Sequence, residues 1–231
     1  PENPRLNLTR MNLALVLSDL GHLVRAGELL RVAVVTAEKF TAPGSSIRLD
    51  LRQSYATILA QLGDRELARV MFQDVLEKYE RRGEGSTFDA HMVRTNLATL
   101  LVDSDPKRSE ELIDIVIANL SENDTDDTFM RLCRIIRSRC LARRGKATAA
   151  LSIQTELVED LTRRFGPTHP ETVVARGNLI ESYLALTHAN TLPAIRSLYL
   201  DLEKTATADN PHIDTVRSQY LISLIALGKL D

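Results

Sequence analysis

The sequence predicts an all-α protein, built as an α-solenoid of stacked antiparallel helix pairs. Three observations carry this prediction. An apolar stripe recurs at a nearly constant interval along the 231 residues. Each stripe has apolar residues at i, i+3, i+4 and i+7, which is the spacing of one helix face. No segment alternates apolar and polar residues over a useful length, as a half-buried strand would. Such a helix face is covered only when the next helix pair stacks on it.

The repeating unit can be measured from the residue that ends each stripe. Glycine or a polar residue stands there, at Gly21, Gly63, Asp105, Gly145, Thr187 and Gly228. The successive intervals are 42, 42, 40, 42 and 41 residues. An interval held this constant predicts about five and a half copies of one unit in a single solenoid domain over residues 1–231. The predicted repeats span residues 4–45, 46–87, 88–127, 128–169, 170–210 and a partial 211–231.

Each unit reads as two helices joined by a short turn. The first helix carries the stripe, and its closing glycine suits a C-cap, where left-handed backbone is tolerated. The second helix is amphipathic and is clearest at residues 24–40, 65–79 and 147–165. Loops such as "TAPGSS" and "FGPTHP" then separate the units with helix breakers and N-cap residues. Pro4, Pro170 and Pro211 fall at one repeat position, where proline suits the first turn of a helix.

Composition and charge narrow the classes of function. The net charge of −2 gives no general attraction to nucleic acid or to an anionic membrane. No apolar run reaches the roughly 18 residues that a membrane span needs. The chain begins with Pro1 and stops within a unit, so we expect a cytoplasmic segment of a longer protein whose other domains are partners.

The sequence offers no candidate for catalysis, for a metal or for a cofactor. It has no phosphate-binding loop, no dinucleotide fingerprint, no zinc motif and no nucleophile elbow. His169 precedes Pro170 in a helix-start pattern and shows no ligand spacing. Cys133 and Cys140 lie seven residues apart on one predicted helix, roughly 10 Å along its axis, which is too far for a disulfide. We therefore expect buried, reduced thiols and no enzyme activity.

The first helices share the pattern Arg-x2-Leu/Tyr-x3-Leu/Tyr, as in Arg10-x2-Leu13-Ala14-x2-Leu17. An alanine recurs early in the second helices, at Ala26, Ala68, Ala150 and Ala194. This pattern resembles the tetratricopeptide repeat, or TPR, across essentially the whole chain. The length of about 42 residues and the segment "FGPTHPETVVARGNL" are similar to the longer repeats of kinesin light chain and of bacterial multidomain regulators. The resemblance implies a right-handed superhelix that binds proteins or peptides.

The resemblance also implies that first helices line a concave groove for an extended peptide. In that family the residue before the core Leu or Tyr faces the groove. Asparagine suits this place, because its amide both donates and accepts hydrogen bonds. Residues at that position and at neighbouring positions on the helix are therefore predicted to line the groove. They are Asn12, Gln53, Ser54, Thr95, Asn96, Thr99, Arg139, Asn178, Glu181 and Gln219. A solvated or interhelical role is the alternative for each asparagine.

Arginine recurs at one repeat position in all six units, at Arg10, Arg52, Arg94, Arg134, Arg176 and Arg217. The core residue three positions later is Leu or Tyr except in the fourth unit, which departs from the pattern with Arg137 there and Ser138 next to it. Each arginine could cover apolar surface and meet a carboxylate or carbonyl of a neighbouring repeat. The row could instead contact an acidic peptide or a phosphate. The fourth unit adds a basic cluster at Arg131, Arg134, Arg137, Arg139, Arg143, Arg144 and Lys146. The predicted acidic-ligand contacts are Arg94, Arg134, Arg137, Arg143 and Arg176.

Three functions fit these patterns. The first is a peptide-binding or protein-binding scaffold that uses the groove. The second is a sensor arm of a larger signalling ATPase or transcription regulator, with a small or phosphorylated effector bound at the fourth unit. The third is a scaffold that self-associates through its open C-terminal repeat. Aromatic residues do not interleave with the arginines, so nucleic acid is not favoured.

Overall fold

The computed structural model describes residue 3 and residues 6–120, 127–185, 193, 196–197, 199–200 and 213–226. Within these ranges the chain is helical apart from turns and short connections, and it contains no strand. The all-α prediction is therefore confirmed. Thr187, Gly228, Pro4, Pro211 and Ala194 lie outside the described residues.

Ten helices have defined bounds in this part of the chain. They are α1 (Asn7–Asp19), α2 (Leu23–Phe40), α3 (Ser46–Leu62), α4 (Arg65–Arg81), α5 (Phe88–Leu101), α6 (Pro106–Asn119), α7 (Asp127–Arg143), α8 (Ala147–Phe165), α9 (Pro170–Ala185) and α10 (Ile213–Ala226). The odd-numbered helices α1 to α9 and the helix α10 are first helices, and α2, α4, α6 and α8 are second helices.

The helices form two compact units. Unit 1 comprises Pro1–Ser104 and Glu111–Asn119, and unit 2 comprises Asp105–Glu110 and Leu120–Asp231. The single domain and the six repeat boundaries remain predictions.

In unit 1 each helix from α1 to α4 packs on the next one along the chain. The core between α2 and α3 joins Ala33, Val34 and Ala37 to Leu51 and Ile58, and all five are buried. The predicted second-helix alanines Ala26 and Ala68 are also fully buried. Small residues at these positions let the two helices of a pair approach closely, because a larger side chain would separate them.

In unit 2, α8 packs on α7 and on α9, and α10 packs on α9. Val158 and Leu161 of α8 meet Ala175 and Leu179 of α9 in one buried cluster. This packing continues the order of successive helix pairs and buries the apolar stripe that the sequence predicted.

A buried polar network joins α7, α8 and α9. Gln154 donates from Nε2 to Ser138 Oγ at 2.6 Å, and Ser182 donates from Oγ to Gln154 Oε1 at 2.9 Å. All three side chains are buried. Ser138 stands where the first helices α1, α3 and α5 have alanine. Gln154 satisfies its hydroxyl, as a buried polar group requires. The departure of the fourth unit from the repeat pattern is thus compensated within the unit.

The turn within each helix pair confirms the role predicted for three glycines. Gly21, Gly63 and Gly145 have φ values of 79°, 93° and 74°, in the left-handed region that a Cβ makes costly. Asp105 differs from the prediction, because α5 already ends at Leu101. Asp105 instead begins α6, accepting from the backbone N–H of Arg108 at 3.0 Å. Its counterpart is therefore Asp64, the side-chain cap of α4.

Candidate functional site

First helices lie next to each other in unit 1, as a binding face built from them requires. α1 contacts α3, and α3 contacts α5. Ser18 of α1 donates from Oγ to Gln61 Oε1 of α3 at 3.1 Å. The spacing of these helices is therefore set by packing and also by a polar contact on their exposed side.

A pocket of about 260 Å³ lies between α3, α4 and α5. It is lined by Thr57, Ala60, Gln61, Arg65, Phe72, Asn96, Thr99 and Leu100. Arg65 crosses from α4 to α5 and donates from Nη2 to the Leu100 carbonyl at 2.9 Å. This bond satisfies a carbonyl near the end of α5, where helix carbonyls lose their intrahelical partners.

The polar side chains of this pocket divide into two kinds. Thr57 and Thr99 donate their hydroxyls to carbonyls of their own helices, at Gln53 and Thr95, over 3.1 and 2.8 Å. Their methyl groups are then the parts that a ligand would meet. Asn96 is half-buried on the pocket wall. Its amide carries both donors and acceptors and matches a peptide backbone group.

The predicted groove residues fall into three groups. Seven lie at the surface, exposed or half-buried: Asn12, Gln53, Ser54, Asn96, Thr99, Arg139 and Asn178. Thr95 does not, because it is 2% exposed and its hydroxyl donates to the His91 carbonyl at 2.9 Å. The side chains of Glu181 and Gln219 lie outside the described part of the chain. The pocket of unit 1 brings together two of the predicted residues, Asn96 and Thr99.

Two arginines of the repeated row are held in equivalent contacts. Arg52 of α3 pairs with Glu38 of α2 at 2.6 Å and with Asp74 of α4 at 3.0 Å. Arg94 of α5 pairs with Glu80 of α4 at 3.0 Å. In both pairs the glutamate precedes the arginine by 14 residues and belongs to the second helix of the preceding pair. These contacts match the structural interpretation of the row.

Arg94 is the more enclosed of these two arginines, with 6% of its surface exposed. Its Nη1 donates to the Gly85 carbonyl in the turn between α4 and α5, and it lies 3.5 Å from His91 Nδ1. A Cβ at Gly85 would lie 3.3 Å from Arg94 Nη2, so the absence of a side chain there leaves room for the guanidinium. Arg94 thus ties a loop to a helix, although the sequence also predicted it as a ligand contact.

The same ion pair cannot form at the next two arginines of the row, Arg134 and Arg176. Leu120 and Thr162 stand 14 residues before Arg134 and Arg176, and neither can form an ion pair. Arg134 is exposed, whereas Arg176 is buried. Arg217 on α10 is exposed. The arginines of the row thus share one repeat position in the sequence, but their environments in the structure differ.

Carboxylates hold part of the basic cluster of the fourth unit. Arg131 pairs with Glu171 at 3.1 Å and stacks over Phe165, with Cζ 5.8 Å from the ring centroid. Arg144 is ion-paired with Glu110. Arg137 is half-buried, while Arg139 and Arg143 are exposed on α7. The cluster therefore combines structural ion pairs with arginines that reach the surface.

Unit 2 contains a pocket of about 210 Å³ that the sequence did not predict. It lies between α7, α8 and α9 and is lined by Arg131, Ile135, Leu157, Leu161, Pro170, Glu171, Val174 and Ala175. Ile135 occupies the repeat position of the predicted groove residues Gln53 and Thr95. An apolar residue at a predicted groove position was therefore the signal that could have revealed this pocket. In the structure Ile135 lines the pocket together with the half-exposed Val174.

Burial is the largest cause of the shifted pKa of three titratable groups in unit 1. Burial raises the pKa of the Asp50 carboxyl, and the nearby charge of Asp89 raises it further. Burial also raises the pKa of the Tyr79 hydroxyl to about 12, and the charges of Asp50 and Asp89 add to this effect. Burial lowers the pKa of His91, and the charge of Arg94 adds to this effect. None of the three belongs to the pocket around Asn96.

Other kinds of site receive no support from the described residues. They contain no group of three or more His, Cys, Asp or Glu placed to hold a metal ion. Cys133 and Cys140 are buried and form no disulfide, and Cys140 Sγ lies 3.0 Å from Ser109 Oγ. Among the described helices, none combines the length and the apolar character that crossing a membrane requires.

Comparison with solved structures identifies the fold. Two crystal structures of a Podosopora anserina protein described as a putative kinesin light chain, with nearly identical TPR-like repeats, superpose with a TM-score of 0.72. One of the two carries a substitution. Their identities to this chain are 16% and 17%, covering 87% and 89% of it and 96% and 99% of the known chains.

BtubC (BKLC) from P. vanneervenii matches with a TM-score of 0.62 and 19% identity, over 72% of this chain and 68% of that one. The sequence matches no protein-family model and no curated protein. TPR-like repeat folds generally mediate protein–protein interaction. The chain has the α-solenoid fold of a TPR-type repeat protein, like the repeats of kinesin light chain, as its sequence predicted.

Proposed function

We propose that the chain is a binding module for an extended peptide or protein segment, without catalytic activity, and that the first helices supply the binding face. The pocket between α3, α4 and α5 carries this proposal. Its lining includes the predicted residues Asn96 and Thr99, together with Gln61, Arg65 and the buried Phe72. A concave site with apolar lining and a few polar groups is typical of ligand recognition.

The chemistry of the pocket favours a peptide. The Asn96 amide can accept from a backbone N–H and donate to a backbone carbonyl. The methyl groups of Thr57 and Thr99 offer apolar contact, because their hydroxyls already donate to helix carbonyls. Repetition of first helices provides further positions of the same kind at Asn12, Ser54 and Asn178. The two buried cysteines, which form no disulfide, support a cytoplasmic location as part of the proposal.

A displayed library of random peptides, selected on the folded chain, tests this function. We expect a selected peptide to lose affinity at least tenfold, or about 1.4 kcal/mol, in Asn96→Ala. Gln73→Ala is the matched control, since it also removes an exposed amide but lies on the second helix α4. Selected peptides that bind Asn96→Ala and wild type equally would contradict the assigned pocket, and failure to select any binder would contradict the function.

A second candidate, a sensor arm for a phosphorylated effector, draws on the exposed guanidinium groups of Arg139 and Arg143. These residues are four apart and therefore share one face of α7. Arginine suits phosphate because it offers a planar pair of donors. A phosphoserine peptide should then bind the chain and lose affinity in Arg139→Ala, with the exposed Arg81→Ala on α4 as control. Equal affinity for the unphosphorylated peptide would contradict this candidate.

A further inference from the structure

The pocket between α7, α8 and α9 of unit 2 lies where the repeat has lost side-chain volume. Each of its eight lining residues has a counterpart 82 residues earlier, two repeats back, in α3, α4 or α5. Four of the eight are smaller than their counterparts: Leu161 stands for Tyr79, Pro170 for Phe88, Val174 for Met92 and Ala175 for Val93. Arg131, Leu157 and Glu171 are larger than their counterparts, but a cavity of about 210 Å³ remains.

One of these counterparts, Tyr79, is an enclosed aromatic side chain. It is 4% exposed. Burial, and then the charges of Asp50 and Asp89, raise the pKa of its hydroxyl to about 12, so the hydroxyl lies near these carboxylates. Asp89 is the counterpart of Glu171 in the pocket of unit 2. Unit 1 thus places a phenol ring, with its hydroxyl near a carboxylate, at the repeat position where unit 2 has Leu161.

The polar side chains of the pocket are held by contacts of their own. Arg131 donates from Nη2 to Thr128 Oγ1 and to Glu171 Oε2, both at 3.1 Å. Its guanidinium group also lies over Phe165, with Cζ 5.8 Å from the ring centroid. Because a carboxylate can accept at both of its oxygens, Glu171 can also accept from a ligand through Oε1. The pocket therefore combines apolar walls with one anionic acceptor.

The size of the cavity restricts the ligand to about one ring. An apolar cavity of about 150 Å³ is large enough to bind benzene. Pockets for drug-sized molecules begin near about 300 Å³. The cavity of about 210 Å³ lies between these sizes, so it suits an aromatic ring with a small substituent.

We propose that this pocket binds a phenol ring, placed as Tyr79 is placed in unit 1. The ring lies against Ile135, Leu161 and Val174, and its hydroxyl donates to Glu171 Oε1. The ring can belong to a small molecule or to a tyrosine side chain of a partner protein. This site is separate from the pocket around Asn96, and its test does not depend on peptide binding there.

p-Cresol, the tyrosine side chain as a free molecule, provides the probe. Methyl ¹H–¹³C NMR of the whole chain follows Ile135, Leu157, Leu161 and Val174, which line the pocket. We expect saturable shifts of these signals, with a Kd of about 1 mM or lower. Leu161→Tyr should weaken binding at least tenfold, because it fills the cavity with the residue that unit 1 has there. Leu67→Tyr is the matched control, since it adds the same ring at an exposed position of α4.

A second filling variant guards against a folding defect. Val174→Met also introduces the residue of unit 1 and should weaken binding at least threefold. Circular dichroism establishes that each variant is folded. The proposal is overturned if p-cresol leaves the methyl signals of the pocket unchanged, or if both filling variants bind it as well as wild type.

Toluene tests the contact with Glu171, because it has the same ring and methyl group but no hydroxyl. It should bind at least threefold more weakly than p-cresol. Glu171→Gln should reduce this preference, since an amide oxygen is a weaker acceptor than a carboxylate. Equal binding of the two probes to wild type would overturn the assigned hydroxyl contact. N-acetyl-tyrosinamide distinguishes the sources of the ring: tighter binding than p-cresol assigns the pocket to a tyrosine side chain, and weaker binding assigns it to a small phenol.

Discussion

Replacing Arg94 by alanine separates the structural and ligand-binding interpretations of the arginine row. The substitution removes the bond to the Gly85 carbonyl in the turn before α5 and the ion pair with Glu80. A hydrogen bond that involves a charged group contributes about 1.5–3 kcal/mol. Glu80 is 53% exposed, so its ion pair adds only about 0–1 kcal/mol. Loss of the packed Arg94 stem brings the expected destabilisation to about 2–4 kcal/mol.

Urea denaturation followed by far-ultraviolet circular dichroism measures this loss. Two controls divide it into its parts. Glu80→Ala removes only the half-exposed carboxylate and should cost about 1 kcal/mol or less. Arg81→Ala breaks an exposed pair with Glu77 one helical turn away and should cost less than about 0.5 kcal/mol.

The reasoning is refuted if Arg94→Ala unfolds at the same urea concentration as Arg81→Ala. In that case the enclosed guanidinium would contribute no stability, and a ligand contact would be the better explanation of its position. Arg94→Lys refines the test, because lysine keeps the charge but cannot reach two partners with a planar fork. It should fall between wild type and Arg94→Ala.

Three further predictions concern unit 1. Gly27→Ala should stabilise the protein by up to about 1 kcal/mol, because alanine favours a helix more than glycine does. The added Cβ would lie 3.3 Å from Leu62 Cδ1, and this exposed side chain can move to make room for it. A lower urea midpoint would contradict this prediction. Asp50→Asn should raise the midpoint at neutral pH, since the raised pKa of Asp50 means that its ionisation opposes folding. This gain should disappear below pH 3.8, where Asp50 is protonated in both states. His91 has a lowered pKa, so wild type should lose stability as the pH falls below 6.5 and the unfolded state takes up the proton, whereas His91→Gln should lose less.

The periodic features of the fold could be predicted because they depend on spacing alone. The left-handed turns at Gly21, Gly63 and Gly145 follow from the stripe that each glycine ends. The buried Ala26 and Ala68 follow from the repeated alanine. Such features recur in several helix pairs under the same physical constraint, so weak signals reinforce one another.

The candidate site was less predictable, because a side chain's environment depends on neighbours far away in the sequence. Thr95 has the spacing of a groove residue but is buried under its surroundings. Thr99, one turn later, lines the pocket. Helical period places the two on nearby parts of one helix, and only the packing of α3 and α4 decides which of them reaches solvent.

The arginine row shows how one repeated residue comes to serve different roles. Its structural contact needs two residues, the arginine and a glutamate 14 positions earlier. Glu38 and Glu80 satisfy this condition in unit 1, and their arginines are correspondingly enclosed. The residue 14 positions before Arg134 is Leu120, which cannot form an ion pair, and Arg134 is exposed. A row of identical residues is therefore no evidence of a row of identical contacts. Binding of an acidic ligand is best sought on α7, where Arg134, Arg139 and Arg143 are exposed, and not at Arg94, which is enclosed.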